Sequence, residues 1–220
     1  PIDGYELGNP NGEPILLVHG WDSNAGSMSQ LAFQFEELGY RVFAFNLPGH
    51  AFYKSAKTNL LECKNAMIEL LDYLNLQEPG SVVSHSFGSA VVANALAESQ
   101  HEVNRMVFLT NPNKIKDIFE EFKEMIGLTR RAYRAMVKNT SELLGGPIQM
   151  MDVSTNLKKF NFDKLLLIHD LDDKVLPFYN SFDINSDHQN VQLIRMEKVG
   201  HYKMLWNNEV TGRAVSFIEG

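Results

Sequence analysis

Six short apolar runs, at 15–19, 41–45, 81–85, 105–110, 165–169 and 191–196, punctuate this chain of 220 residues. Each is nearly continuous rather than alternating, the pattern of strands buried on both faces. The intervening stretches 27–38, 56–75, 87–98 and 203–218 have helical spacing, with Leu60, Leu61, Met67, Ile68, Leu71 and Leu74 marking one helix face. Strands alternating with helices predict an α/β domain with a mostly parallel sheet covered on both faces. One interval breaks the alternation, between 110 and 165. There, Lys114–Ile126 and Thr129–Leu144 read as two helices, parted at Gly127 and closed by Gly145-Gly146-Pro147.

Composition narrows the class. With 44% apolar and 21% charged residues the chain reads as one soluble globular domain, 1–220. No apolar run reaches the ~18–20 residues of a membrane span, and Pro1–Tyr5 lacks the basic start and apolar core of a signal peptide. A cytoplasmic location is therefore expected. Cys63 is the single cysteine, so no internal disulfide forms, and its neighbours Leu60, Leu61, Met67 and Ile68 suggest a small buried hydrophobe. A net charge of −7 argues against nucleic acid as a general partner. The charge is uneven: residues 113–159 hold nine Lys/Arg against six Asp/Glu. No spacing matches a metal site and no Gly-rich loop matches a phosphate cradle, so neither metal nor cofactor is expected.

The candidate chemistry begins at Ser84-His85-Ser86-Phe87-Gly88, between the apolar run 81–83 and a helix-forming run from Ser89. A strand turning sharply into a helix around a central Ser is a nucleophile elbow, G-x-S-x-G, with Ser84 standing for the first Gly. An alternative is a polar turn in which Ser caps an ordinary helix. An acid and a histidine follow in order. Asp170, Asp172 and Asp173 come after the run 165–169, and His201 comes after 191–196. Ser, Asp and His in that chain order, with the acid and the His each just past a strand, suit a Ser-His-Asp hydrolase.

With Leu16-Leu17-Val18-His19-Gly20-Trp21 and Leu47-Pro48-Gly49-His50 added, the chain resembles the α/β-hydrolase family from Ile15 to Ile218, in its serine esterase or carboxylesterase branch. The resemblance implies that fold, with 113–159 as a short helical cap inserted before the acid-bearing strand, and first strands shortened before Tyr5-Glu6-Leu7. It implies Ser86 as nucleophile, His201 as base, and Asp173 as the acid because Asp-Lys-Val-Leu-Pro is similar to the family's D-x-x-x-P turn, with Asp170 the next candidate. It further implies an oxyanion hole from the backbone N–H groups of Trp21 and Phe87. Trp21 and Met28 would wall an apolar pocket, together with Met125, Met136, Met150 and Met151, though each also reads as core. His19, His50 and His85 read as structural. A Ser at the elbow disfavours the halide and epoxide chemistry that uses Asp there, leaving an ester, thioester or amide hydrolase, a perhydrolase or a carbon–carbon hydrolase; the expected reaction is cleavage of a small-molecule carboxylic ester through an acyl-enzyme.

Arg130, Arg134 and Lys138, four residues apart with Arg131 beside them, would line one face of the second cap helix. They read either as a solvated face or as a dock for an acidic acyl carrier, a carrier protein or coenzyme A. The His19-Gly20-Trp21 turn is also similar to that of pimeloyl-carrier-protein methyl ester carboxylesterases. A ligand receptor on the same fold is the alternative outside enzymes.

Overall fold

The computed structural model describes residues 3–51, 57–74, 80–99 and 101–220. Seven strands form one sheet: β1 (Asp3–Gly8), β2 (Pro14–Val18), β3 (Arg41–Asn46), β4 (Gly80–His85), β5 (Val103–Leu109), β6 (Lys164–Asp170) and β7 (Val191–Met196). Their order is β1-β3-β2-β4-β5-β6-β7, parallel throughout except for β1, which runs antiparallel to β3. The central strands are buried on both faces, which is why their sequences are apolar at successive positions. Leu16 and Val18 of β2 enter one core and Ile15 and Leu17 the other.

Eight α-helices accompany the sheet among the described residues: α1 (Ser29–Glu37), α2 (Leu60–Leu74), α3 (Phe87–Leu96), α4 (Ile115–Met125), α5 (Arg130–Leu144), α6 (Val153–Leu157), α7 (Tyr179–Asp187) and α8 (Asn208–Glu219). Residues of α2, α3, α6 and α7 fill the first core and those of α1 and α8 the second. Cys63 lies buried in the first, and burial pushes its thiol up to about 11.

Three elements depart from the reading of the sequence. β1 is a true strand, but a polar one at the sheet edge, exposed along most of its length and fastened by the Arg41–Glu6 ion pair at 2.7 Å. The helix expected over 203–218 is two pieces, a 3-10 turn at Lys203–Trp206 and then α8. Asn207 divides them: its Oδ1 accepts the N–H groups of Glu209 and Val210, a side-chain N-cap. α7 lacks an amphipathic pattern in sequence because polar groups anchor it, Asn180 accepting Asn113 N–H and Ser181 donating to Asn111. Positions 56 and 75 of the expected helix 56–75 lie outside the described residues.

Between β5 and β6 the chain builds a helical hairpin, α4 and α5. Thr129 accepts Ala132 N–H at 3.2 Å to start α5, and Gly145, at φ 66°, ends it in the left-handed region. Neither helix has a buried residue. The base beneath is different in kind. Asn113 takes Ser154 N–H on its side chain and Val153 N–H on its carbonyl, Asp152 accepts Ile115 N–H, and Asn94 and Asn156 are joined at 3.0 Å.

Candidate active site

Ser86 sits between β4 and α3 with φ 52° and ψ −123°, a conformation that costs a non-glycine residue on the order of 1–3 kcal/mol. The turn is held by Ser86 N–H to Leu109 O and Ser89 N–H to Ser86 O, both 2.9 Å. Gly88 is required for close packing, since a Cβ there would come within 2.6 Å of the Val18 and His19 carbonyl oxygens. Ser84, standing for the usual first glycine, is accommodated because its hydroxyl meets that of Ser89 at 2.9 Å in the interior.

The Ser86 hydroxyl lies 3.0 Å from His201 Nε2, and His201 Nδ1 lies 2.8 Å from Asp173 Oδ2. Asp173 Oδ1 accepts the N–H groups of Val175 and Leu176. Burial pushes the Asp173 carboxyl up, but the hydrogen bonds from His201, Leu176 and Val175 outweigh that and hold it below the usual carboxylate range. Asp170, the other candidate, does not meet the His201 ring: its oxygens accept the N–H groups of Asp172, Val199 and Gly200. Asp172 contributes only that N–H.

Phe87 is the first residue of α3, where backbone N–H groups lack intrahelical partners. The Gly20–Trp21 turn abuts the elbow, for a Cβ on Gly20 would lie 3.0 Å from Ser86 Cβ. His19 ties this turn to the next loop, donating from Nδ1 to Gly20 O and accepting Leu47 N–H on Nε2. Burial lowers its pKa to about 4, so it stays neutral. Trp21 is 45% exposed and edge-on to both Phe87 and His50, so it belongs to the rim and not to the core.

Met28 is a correction. It is wholly buried with Ile15, Leu17 and Val42 and has no surface to offer a ligand, because it closes the 3-10 turn that seats α1 against the sheet. Arg130, Arg131, Arg134 and Lys138 are exposed on α5. Arg130 and Arg134 line a cleft shared with Glu120, Glu121, Lys123 and Glu124 of α4, so the basic stripe faces acids of its own hairpin. Lys138 pairs with Glu142 at 3.5 Å. Among the described residues no cluster of three His, Cys, Asp or Glu could hold a metal ion, and no helix is long and apolar enough to cross a membrane.

Residues 13–129 match the family model of the alpha/beta hydrolase fold. The chain belongs to the α/β-hydrolase family. As an α/β hydrolase it superposes on an esterase from Exiguobacterium antarcticum with TM-score 0.73 at 17% identity, covering 100% of this chain and 96% of that one. It is likewise similar to a bromoperoxidase from Bacillus anthracis (TM-score 0.74, 20% identity, 100% and 96% covered). A meta-cleavage product hydrolase from Pseudomonas fluorescens matches at TM-score 0.72 and 17% identity over 99% and 94% of the two chains. In sequence, 96 residues are 35% identical to the dihydrolipoyllysine-residue acetyltransferase component of an acetoin cleaving system from Pseudomonas putida. That match covers 41% of this α/β hydrolase and only 24% of its relative.

Sequence reasoning missed His169 behind the site, and it read His85 as structural without its partner. His169 is fully buried, donating from Nε2 to Leu176 O, with Nδ1 2.7 Å from Ser181 Oγ. His85 donates from Nε2 to His201 O at 3.0 Å. A signal was present: His85, His169 and Asp170 are polar residues closing otherwise apolar strands, and buried polar groups at such places hold partners.

Proposed function

We propose that this hydrolase cleaves carboxylic esters through an acyl-enzyme on Ser86, with His201 as general base and Asp173 orienting it. The reading rests on one observation, the unbroken hydrogen-bonded series from Ser86 Oγ through His201 to Asp173 Oδ2, seated on a strained elbow. His201 Nε2 takes the Ser86 proton as Oγ attacks the acyl carbon. The oxyanion is received by the N–H groups of Phe87 and Trp21, whose contribution is on the order of 3–4 kcal/mol of transition-state stabilisation. As the C–O bond to the alcohol breaks, His201 returns the proton to the leaving oxygen. Water, deprotonated by His201, then attacks the acyl-enzyme and frees the acid and Ser86. Asp173, ionised by its hydrogen bonds, keeps the proton of neutral His201 on Nδ1 and stabilises the imidazolium. Trp21 and Phe87, packed edge to face beside the elbow, present an apolar surface to the acyl or alcohol group.

A p-nitrophenyl ester series of increasing acyl length tests this. Turnover over many cycles, peaking at one length and absent in Ser86→Ala and His201→Ala, is the expected result. A single stoichiometric burst would favour a ligand receptor instead. A second reading, hydrolysis of a carrier-linked ester or thioester, is favoured by the exposed Arg130, Arg131, Arg134 and Lys138. The same assay with an acyl carrier substrate separates it from the first by the ratio of kcat/KM.

A further inference from the structure

Two side chains outside the Ser86–His201–Asp173 series hold the backbone that carries His201. Asp170 ends β6, fully buried, with Oδ1 accepting Asp172 N–H at 2.7 Å and Oδ2 accepting Val199 N–H at 2.5 Å and Gly200 N–H at 2.8 Å. Successive N–H groups converging on one anion form a nest. This one requires an unusual backbone, with Lys198 at φ 60° and Gly200 at φ 77°. A non-glycine residue adopts that conformation only when its surroundings enforce it. On the far side, His85 Nε2 donates to the carbonyl of His201 itself at 3.0 Å. His85 Nδ1 is buried without a hydrogen-bond partner, so the ring keeps an unsatisfied acceptor, a cost that an apolar ring would avoid. Gly20 walls it in, since a Cβ there would come within 2.9 Å of Nδ1.

We propose that Asp170 and His85 are a pair of positioning residues that set the height of the His201 imidazole over Ser86, by holding the His201 loop from its N-terminal and C-terminal sides. Asp173 touches only the ring and leaves it free to pivot about that bond. The two backbone holds decide where the ring starts from, and displacement by about 1 Å costs on the order of a hundredfold in rate. Among the described residues His201 is surrounded by Asp173, Ser86, the His85 ring at 5.0 Å between centroids and the Tyr202 ring at 5.0 Å, with His169 behind Asp173. Burial, with a smaller effect of nearby His201, lowers the His85 pKa to about 4, so His85 serves as a neutral Nε2–H donor at neutral pH.

The proposal rests on His201 acting as the base, and its test keeps the two ideas apart. Wild type, Asp170→Asn, His85→Phe, His85→Gln and Ser86→Ala are labelled with a fluorophosphonate, and kcat and KM for a p-nitrophenyl ester are taken per labelled site. Asp170→Asn and His85→Phe are each expected to lower kcat by about ten- to a hundredfold and leave KM within about twofold. His85→Gln, whose amide can still donate, should recover part of that loss. Wild-type kcat per labelled site in both Asp170→Asn and His85→Phe would overturn the proposal. Should Asp170→Asn not fold, equal kcat in His85→Phe and His85→Gln would do so alone. A wild type that neither labels nor turns over sinks the hydrolytic assignment of Ser86 instead. In that event the low-field proton resonance between His201 and Asp173 decides on positioning, its loss in the variants supporting the pair and its persistence overturning it.

Discussion

The elbow and the His201 loop form one kind of region, the α4–α5 hairpin another. Around Ser86 the chain turns at strand ends, most of its polar groups are buried and hydrogen-bonded, and positive-φ backbone at Ser86 and Lys198 is tolerated because neighbours fix it. The hairpin has strongly amphipathic helices but no buried residue, with Met125 76% exposed and Leu143 73% exposed. Its base at Asn113, Asp152 and Asn156 is held by buried hydrogen bonds, and its length is not. The contrast separates a region whose backbone is fixed by buried partners from one held only at its base. Local opening should therefore begin in the hairpin.

The contrast can be broken most directly at Asp173. On the proposed mechanism, Asp173→Asn lowers kcat by about 10⁴-fold, because an amide no longer enforces the Nδ1–H tautomer. A loss under about tenfold in steady-state ester hydrolysis would mean that this region is not the catalytic one. A smaller effect is expected in stability. Leu17→Ala, in the doubly covered centre of β2, should destabilise by about 2–5 kcal/mol, and Leu143→Ala in the hairpin by no more than about 0.5 kcal/mol. Urea unfolding midpoints read both, and comparable losses would show that the hairpin is packed in solution.

A third effect is graded with pH. Burial lowers His19 and His85 to about 4 from the unfolded value of 6.5. Above pH 6.5 both states hold these rings neutral and their contribution is complete. As pH falls toward 4 the unfolded chain takes up protons that the folded one refuses, so stability drops by roughly 1 kcal/mol per pH unit for each ring. Unfolding free energies at pH 7, 6, 5 and 4.5 would reveal that slope. A flat profile would mean that water reaches both rings in the folded state.

The sheet was legible in the sequence because strands covered on both faces must be apolar at every position. The runs 41–45 and 81–85 coincide with β3 and β4 to within one residue; 191–196 matches β7, an edge strand whose Gln192 and Arg195 are exposed but whose other positions are apolar. Edge strand β1 was not, since a polar strand at a sheet's rim carries no such mark. α7 escaped for a related reason: Asn180 and Ser181 are buried by hydrogen bonds rather than by apolar contact. The elbow at Ser86 and the order of acid and histidine were written in local turns. The choice between Asp170 and Asp173 was not, because both follow the same strand by a few residues.

What the sequence by itself determined is the α/β class, the place of the elbow and the interval that becomes the hairpin, all of them consequences of local periodicity and turn chemistry. Only the tertiary structure decided that Asp173 meets the His201 ring while Asp170 holds its loop, that Met28 is core and Trp21 half exposed, and that Arg130 and Arg134 of α5 share a cleft with acids from α4. Each of these depends on which groups meet across long stretches of chain. Burial and hydrogen-bond direction are properties of the packed neighbours, and no local pattern encodes them.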